Sequence, residues 1–323
     1  MPHLVDKPEV ASKAKKKIEK ITMVLSPLTG SHKVDLVCKI STIEIIQEWK
    51  SRYEIDVSEE FGNINTIRLY RCQESKLNFF MPLSVAASDR LYQLLERFDW
   101  YYMEDKWEYE MALRDLHGYK RVLEVGCGKG AFIERLIERG KFDVLGIELN
   151  ERAVSRALKK GLPVAKTEID NLNEPGNFDA VCMFQVLEHI PQPKRFIEKI
   201  LQNLKTGGVM IFSVPNADSF LKDSKLNILD MPPHHMTRWS THTISYLQHL
   251  FPVKILKVRK EPLAQYHANW YALVQLAKLR RLMKNGGPTH KKCVNLLSKI
   301  MYHSAFLRRL IIGHTLYACV TKV

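Results

Sequence analysis

Three groups of residues in this sequence have the types and spacing that could do chemistry. The first is Glu124 followed by Gly126, Gly128 and Gly130, within Arg121-Val-Leu-Glu-Val-Gly-Cys-Gly-Lys-Gly-Ala-Phe132. Glycines let backbone N–H groups approach a ligand with no Cβ in the way. A carboxylate two residues before the first glycine can accept a hydrogen bond from an ammonium group. The second group is Val186-Leu-Glu-His-Ile-Pro-Gln-Pro193. Its His189 belongs to the residue type that titrates at about pH 6.5 and can take a proton from a substrate. The third is Asp230-Met-Pro-Pro-His-His-Met-Thr-Arg-Trp-Ser240, a proline-stiffened stretch that offers His234, His235 and Trp239.

The elements that must position these groups can be read from periodicity. Val122, Leu123, Val125 and Cys127 surround Glu124 as in a buried strand, which breaks into the glycine turn and feeds a helix, Ala131–Glu138, closed by Gly140. Strands then alternate with helices. Strands are expected at 143–149, 164–169, 178–185, 209–214 and 253–259, and helices at 151–160, 194–204 and 241–250, the last capped by Ser240 or Thr241. Such alternation predicts a parallel sheet, whose ligands sit beyond the carboxyl ends of the strands. Glu148 ends the second strand, where a carboxylate can accept both hydroxyls of a ribose. Gln185 ends the fourth. The glycine run also fits a dinucleotide fingerprint, Gly126-x-Gly128-x-x-Ala131, but a dinucleotide strand is usually apolar where Glu124 stands.

Glu-x-Gly-x-Gly-x-Gly after a hydrophobic strand resembles motif I of class I S-adenosylmethionine (SAM)-dependent methyltransferases, and residues 186–193 resemble their Leu-Glu-His stretch after strand 4. The likeness covers roughly residues 119–262. It implies a Rossmann-like, doubly wound, seven-stranded α/β sheet with an antiparallel last strand, and SAM as cofactor. By the same resemblance Glu124 faces the methionine end of the cofactor, and Gly126, Cys127, Gly128 and Gly130 face its ribose and carboxylate. Glu148 and Leu149 would meet the ribose side, Asp170 the adenine amino group, Ile169 the adenine ring, and Gln185 the methionine moiety. His189 would stand at the mouth of the transfer site, as base or as the residue that fixes its loop. The Pro-Pro-His-His…Trp pattern resembles the substrate-side loop of methyltransferases acting on sugars and other small molecules, which nominates His234, His235 and Trp239 as substrate-binding and His189, His234 and His235 as catalytic.

Small-RNA 2′-O-methyltransferases carry Glu-x-x-Glu-His after strand 4 and a later His four residues before a Trp, which together bind a divalent metal. Here the stretch is Gln185-Val-Leu-Glu188-His189, with His235 four residues before Trp239. Three of the four positions match. Gln185 is a neutral amide and a poor ligand for a hard cation, so no metal is expected.

The flanks are read from composition. The chain has 323 residues, 46% hydrophobic and 26% charged, as in an ordinary globular protein. Six scattered cysteines without a C-x-x-C pair argue against a disulfide framework and a complete zinc site. No apolar run approaches a membrane span of about 18 residues, and the start lacks an apolar signal core, so a cytoplasmic location is expected. Residues 1–30, with Lys13, Lys15, Lys16, Lys17 and Lys20, are expected to be a basic tail. Residues 31–83 are expected to form a small β-rich region with strands at 34–40, 65–71 and 77–80 and a helix at 41–51. Its Leu69–Pro82 stretch is similar to the zinc-knuckle segment that precedes many such enzymes, with Ser75 in place of the second cysteine; the resemblance implies the fold without the metal. An aromatic helical connector at 84–118 leads to the cofactor-binding core at 119–262. A helical insertion at 263–313, with helices at 268–284 and 290–311 around Asn285-Gly286-Gly287-Pro288, precedes a last core strand at 314–323.

The formal charge is +14, and from Pro262 onward there is no Asp or Glu but ten Lys and Arg. An anionic partner is therefore plausible for the insertion: a membrane surface at the inner face or a phosphorylated substrate, with nucleic acid not expected. The expected function is methyl transfer from SAM to a small-molecule, sugar, glycan or lipid-linked acceptor. The alternatives are a metal-dependent RNA 2′-O-methyltransferase, favoured by charge but lacking a recognisable RNA-binding module, and a non-catalytic SAM-fold scaffold that binds an acidic partner.

Overall fold

The structure, a computed structural model, describes residues 23–224, 227–283 and 290–323. The lysines of the expected tail and the Asn285–Pro288 turn lie outside these residues. In chain order the elements are β1 (Val34–Ser41), α1 (Thr42–Tyr53), α2 (Ser58–Phe61), β2 (Thr66–Cys72), β3 (Asn78–Met81), α3 (Asp89–Leu95) and α4 (Trp107–Asp115). Then follow β4 (Arg121–Val125), α5 (Ala131–Glu138), β5 (Asp143–Glu148), α6 (Glu151–Lys159), β6 (Val164–Lys166), β7 (Phe178–Phe184), α7 (Pro193–Asn203) and β8 (Leu204–Pro215). The chain ends with β9 (Thr237–Arg238), α8 (Thr241–Tyr246), β10 (Val253–Pro262), α9 (Ala268–Met283), α10 (His290–His303), α11 (Ala305–Arg309) and β11 (Ile312–Lys322).

The large sheet has the order β10-β11-β8-β7-β4-β5-β6, parallel except for β11, which runs antiparallel to both neighbours. This is the expected seven-stranded Rossmann-like α/β sheet. Its central strands are buried on both faces, which is why Ala180–Phe184 reads as a continuous apolar run and Val122–Val125 is apolar except for Glu124. One face packs α7 and α8 through residues such as Ile197, Ile200 and Ile244, the other α4, α5 and α6 through Leu113, Phe132 and Ala157. Asn150 caps α6 by accepting from the N–H groups of Arg152 and Ala153, at 3.0 and 3.4 Å, worth about 1 kcal/mol.

Several expectations need correction. Residues 23–30 are not a tail: Leu28 is fully buried in the main core and Ser26 anchors a turn that closes on Gly30 and Ser31. The strand expected at 164–169 ends at Lys166, because its ladder partner β5 ends at Glu148, directly opposite. The helical connector expected over 84–118 is broken. Residues 96–106 form a turn-rich strap in which Phe98, Trp100, Tyr101 and Tyr102 pack on one another at ring separations of 5.0–5.9 Å. Their burial outweighs a helical propensity difference of only tenths of a kcal/mol per residue. The helix expected at 290–311 divides at Ser304, whose hydroxyl accepts from Leu307 N at 3.3 Å and starts α11.

The small β-region is not self-contained either. Its sheet has the order β1-β2-β3-β9, and β9 comes from the histidine-bearing loop of the core. Phe80 N donates to Met236 O at 3.0 Å, and Met236 N donates to Glu188 O at 2.7 Å.

At the end of β10, Glu261 is buried against β11 and accepts from Thr315 N at 3.2 Å. Burial raises its carboxyl from the ordinary 4.5 to about 7, against the opposing effect of the Thr315 hydrogen bond. The folded state therefore holds a proton that the unfolded state releases, and stability falls as pH rises from about 4.5 to about 7. Glu261→Gln keeps a neutral group at this position. Thermal melting across that range should show the variant losing less stability than the parent, by a few degrees in Tm at the upper end; equal slopes would show that Glu261 ionises freely.

Candidate active site

A cleft of about 1690 Å³ opens beyond the carboxyl ends of β4, β5 and β7. Its floor is the turn after β4. Gly126, Gly128 and Gly130 all have positive φ, of 72°, 54° and 83°. A Cβ on Gly128 would stand 2.8 Å from the Tyr102 ring, and one on Gly126 2.7 Å from Val186. The backbone can hold this path only without side chains. Gly126 N and Cys127 N both donate to Ile147 O, at 2.8 and 3.2 Å, which ties the turn to β5.

Two carboxylates face this floor. Glu124 is buried, its Oε2 has no hydrogen-bond partner, and burial raises its pKa well above the usual range. Such an orphan costs about 1–3 kcal/mol or more and marks a place for a bound donor. Glu148 is instead held rigid: Oε2 accepts from Gly128 N at 2.9 Å, and Oε1 from Leu149 N and Asn150 N at 2.8 Å each. Cys127, Leu149, Ile169 and Asp170 also line the cleft. Asp170 Oδ1 accepts from Arg195 Nη2 at 3.2 Å on the outer rim.

Gln185 follows β7 in the left-handed region at φ 57°, a conformation that costs a residue with a Cβ about 1–3 kcal/mol. Its surroundings hold it there. Its N–H donates to Ser213 O at 2.9 Å, and its side-chain amide reaches Ser213 Oγ at 3.2 Å and Glu108 Oε1 at 3.5 Å. The kink turns the chain into the 3-10 turn Leu187–His189.

Opposite the glycine floor stand three histidines. His189 meets His234 and His235 with ring centroids 4.7 and 4.8 Å away, and His234 stacks on His235 at 4.4 Å. His189 Nδ1 donates to His234 O at 2.7 Å and His234 Nδ1 to Leu229 O at 2.8 Å. A carbonyl can only accept, so both rings carry their proton on Nδ1 when neutral. His235 Nδ1 lies 3.3 Å from Asp230 Oδ1, and Asp230 is paired with Arg238 at 2.9 Å. Burial lowers His189 to about 4. Burial and then the neighbouring histidines hold His234 and His235 well below 6.5. The cluster is therefore neutral at physiological pH, with an unprotonated Nε2 on each ring.

The three sequence signatures thus converge on one cleft, with one exception. Trp239 does not reach it. Its ring is fully buried among core residues, 6.5 Å from Phe212, and its Nε1 donates to Thr237 Oγ1 at 2.9 Å. Trp239 supports the histidine loop from behind, and substrate contact is withdrawn for it. The sequence also left residues unnamed. Tyr102 lies over Gly128 and accepts from Asn150 Nδ2 at 3.3 Å. Glu108, buried, organises Ser213 and Gln185. Tyr266, His267 and Trp270, where the insertion begins, close one wall with His314 from β11. Neither periodicity nor motif singles these out; for Tyr102 the dense aromatic content of 84–118 is the one available signal.

The family described as "Methyltransferase domain" matches residues 89–255, just over half of the chain. Among curated proteins, the ubiquinone biosynthesis O-methyltransferase of Azoarcus sp. (strain BH72) is 36% identical over 105 residues, 30% of this chain and 45% of that protein. That of Dechloromonas aromatica (strain RCB) is 39% identical over 105 residues, with the same shares of 30% and 45%. The chain thus spans about half the length of these relatives. Among solved structures, a SAM-dependent methyltransferase from Thermotoga maritima described as a possible histamine N-methyltransferase aligns over 73% of this chain and 98% of its own, at 18% identity and a TM-score of 0.47. With the extent of the domain match, the chain belongs to the methyltransferase-domain family, the class I SAM-dependent methyltransferases.

Proposed function

We propose that this protein transfers a methyl group from SAM to a hydroxyl of a small-molecule acceptor. One observation carries the reading: a single cleft joins a side-chain-free glycine floor with two carboxylates to a wall of neutral histidines with free Nε2 atoms. The floor fits SAM. Glu124, buried and unpartnered, suits the ammonium of the methionine part, and Glu148, locked by three backbone N–H groups, suits the ribose hydroxyls. The Gly126–Gly130 turn allows close approach, and among the cleft residues Ile169 would offer apolar surface to the adenine, Leu149 would meet the ribose side and Gln185 the methionine side. When bound, SAM supplies a methyl group already activated by the sulfonium charge.

The remaining work falls to this chain. The acceptor must be aligned with the methyl group and must lose a proton. His189 and His235, with Nδ1 engaged and Nε2 free, are the candidate bases; His234 holds His189 through its backbone carbonyl. Tyr92, Tyr101 and Tyr102 wall the cleft and would exclude water from a planar or sugar-sized acceptor. The acceptor class is a diol or phenol, a sugar, glycan or lipid-linked precursor included. The curated relatives' name, a ubiquinone biosynthesis O-methyltransferase, favours oxygen as the atom methylated.

A second surface supports a peripheral membrane contact. On α10, α11 and the residue after it, Leu296, Ile300, Phe306 and Leu310 are exposed, as are Lys292, Lys299 and Arg309. Apolar and basic side chains on one face suit the interface of an anionic bilayer. No helix among the described residues is long and apolar enough to cross a membrane. The structure does not describe the side chains of Arg280, Arg281 and Lys291.

Four measurements test these readings. Glu124→Gln should weaken SAM binding in calorimetry by about tenfold or more, the loss of a charge-assisted bond, without lowering Tm, since it removes an unpaired buried carboxylate. Unchanged affinity would remove Glu124 from the cofactor site. With methyl-deuterated SAM and a panel of catechols, sugar nucleotides and lipid-linked sugars, mass spectrometry should find a labelled methyl ether. His189→Gln should cut kcat for that acceptor by about 10²–10⁴-fold. SAM binding without transfer to any member would argue against this acceptor class. Co-sedimentation with phosphatidylglycerol vesicles, but not phosphatidylcholine vesicles, should fall when Lys299 and Arg309 become Gln and Phe306 becomes Ser; no binding at low salt would exclude the membrane face.

A further inference from the structure

The histidine wall has a property that methyl transfer does not require. In each ring one nitrogen is already committed, Nδ1 of His189 to His234 O, Nδ1 of His234 to Leu229 O and Nδ1 of His235 to Asp230 Oδ1. This is how metal-bound imidazoles are held: the outer nitrogen donates to a carbonyl or carboxylate, which sets the tautomer and aims the other nitrogen. One ring nitrogen of each histidine lies within 4.8 Å of those of the other two. His234 Nε2 is buried with no hydrogen-bond partner. Beside the rings, Glu188 is almost completely buried, neither of its oxygens has a hydrogen-bond partner, and Oε1 is 4.0 Å from His189 Nε2. An unpartnered buried carboxylate beside His189 and an unpartnered imidazole nitrogen on His234 thus both belong to this cluster and its immediate surroundings.

We propose that His189, His234 and His235, with Glu188, bind one divalent transition-metal ion. Three imidazoles and a carboxylate suit zinc, cobalt(II) or iron(II) over magnesium or calcium, which require oxygen-rich shells. The sequence pointed away from a metal because Gln185 stands where the RNA methyltransferases carry a carboxylate. The structure replaces that missing ligand with His234, which the loop folds against His189. The ion would complete the coordination of Glu188 and of the orphaned nitrogen together.

Metal binding stands on this geometry alone. Its consequence for the reaction rests on the methyl-transfer reading. A loaded site occupies the Nε2 electron pairs, so activation of the acceptor hydroxyl passes from imidazole to the metal, which lowers the hydroxyl pKa and lets its proton leave to water. An acceptor with two neighbouring oxygens, a catechol or a vicinal diol, would chelate the ion and be selected by it.

The test uses the full chain, stripped with a chelator and titrated with cobalt(II). One equivalent should bind, with the intense visible d–d bands of low-coordinate cobalt, and zinc should displace it. His234→Asn should abolish these bands, and Glu188→Gln should weaken cobalt affinity by about 10–100-fold. SAM calorimetry on the same samples reports the fold and the cofactor site separately. Stripped protein that binds SAM but shows no cobalt band would overturn the metal site and leave the methyltransferase reading standing. A band unchanged in His234→Asn, with SAM binding intact, would equally overturn it, since the ion would then sit elsewhere. Cobalt bound as expected with no SAM binding would keep the metal site and remove the reading on which its role in catalysis rests.

Discussion

The backbone of Met236 holds the two halves of the molecule together at one point. Its N–H donates to Glu188 O in the turn after β7, and its carbonyl accepts from Phe80 N at the end of the small sheet. Thr237–Arg238 then continue as β9 against Phe79 and Asn78. These few bonds fix the 230–240 loop between the core and the N-terminal region. His234 and His235 meet His189 because of them. A loop of this length free in solvent would lose about 1–2 kcal/mol of backbone entropy for each residue it ordered; here the small sheet, its apolar cluster around Trp49 and Phe80, and the Trp239 ring underneath supply the ordering.

The same reasoning applies to the electrostatics of the cleft. A folded domain ordinarily pairs its buried polar atoms. This one keeps Glu124 Oε2, both oxygens of Glu188 and His234 Nε2 unpaired around a single cavity. It also keeps Gln185 in a left-handed conformation that only its Ser213 and Glu108 contacts sustain. Elsewhere the buried acids have partners: Asp115 binds the Tyr317 hydroxyl, and Glu261 binds Thr315 N. Four unsatisfied atoms and one strained residue around one cleft describe a surface shaped for ligands at the expense of local stability.

The C-terminal insertion is packed with both the core and the cleft. Leu263, Ala268, Val274 and Met301 join Phe220 and Leu221 in a separate apolar cluster, while Tyr266, His267 and Trp270 form cleft wall. The segment that carries the basic excess and the exposed apolar side chains is thus continuous with the wall of the proposed acceptor site.

Much of this was present in local sequence. The apolar run before Gly126, the glycine spacing, the β–α alternation and the Leu-Glu-His stretch are determined over windows of ten residues or so, because burial on both faces and positive φ at a turn constrain each position by itself. These were enough to give the sheet, and they nominated cleft residues on both sides, from Glu124 and Glu148 to His189, His234 and His235. What needed the tertiary structure were the relations between distant segments. Trp239 looked like a substrate residue but is fully buried, and a tryptophan's burial depends on what folds over it. His234 was one of two adjacent histidines, and the Leu229 carbonyl and the His189 ring showed which way it turns. Tyr102 crosses Gly128 and Met236 bridges two sheets because chains far apart in sequence come together there, and no periodicity records such a meeting.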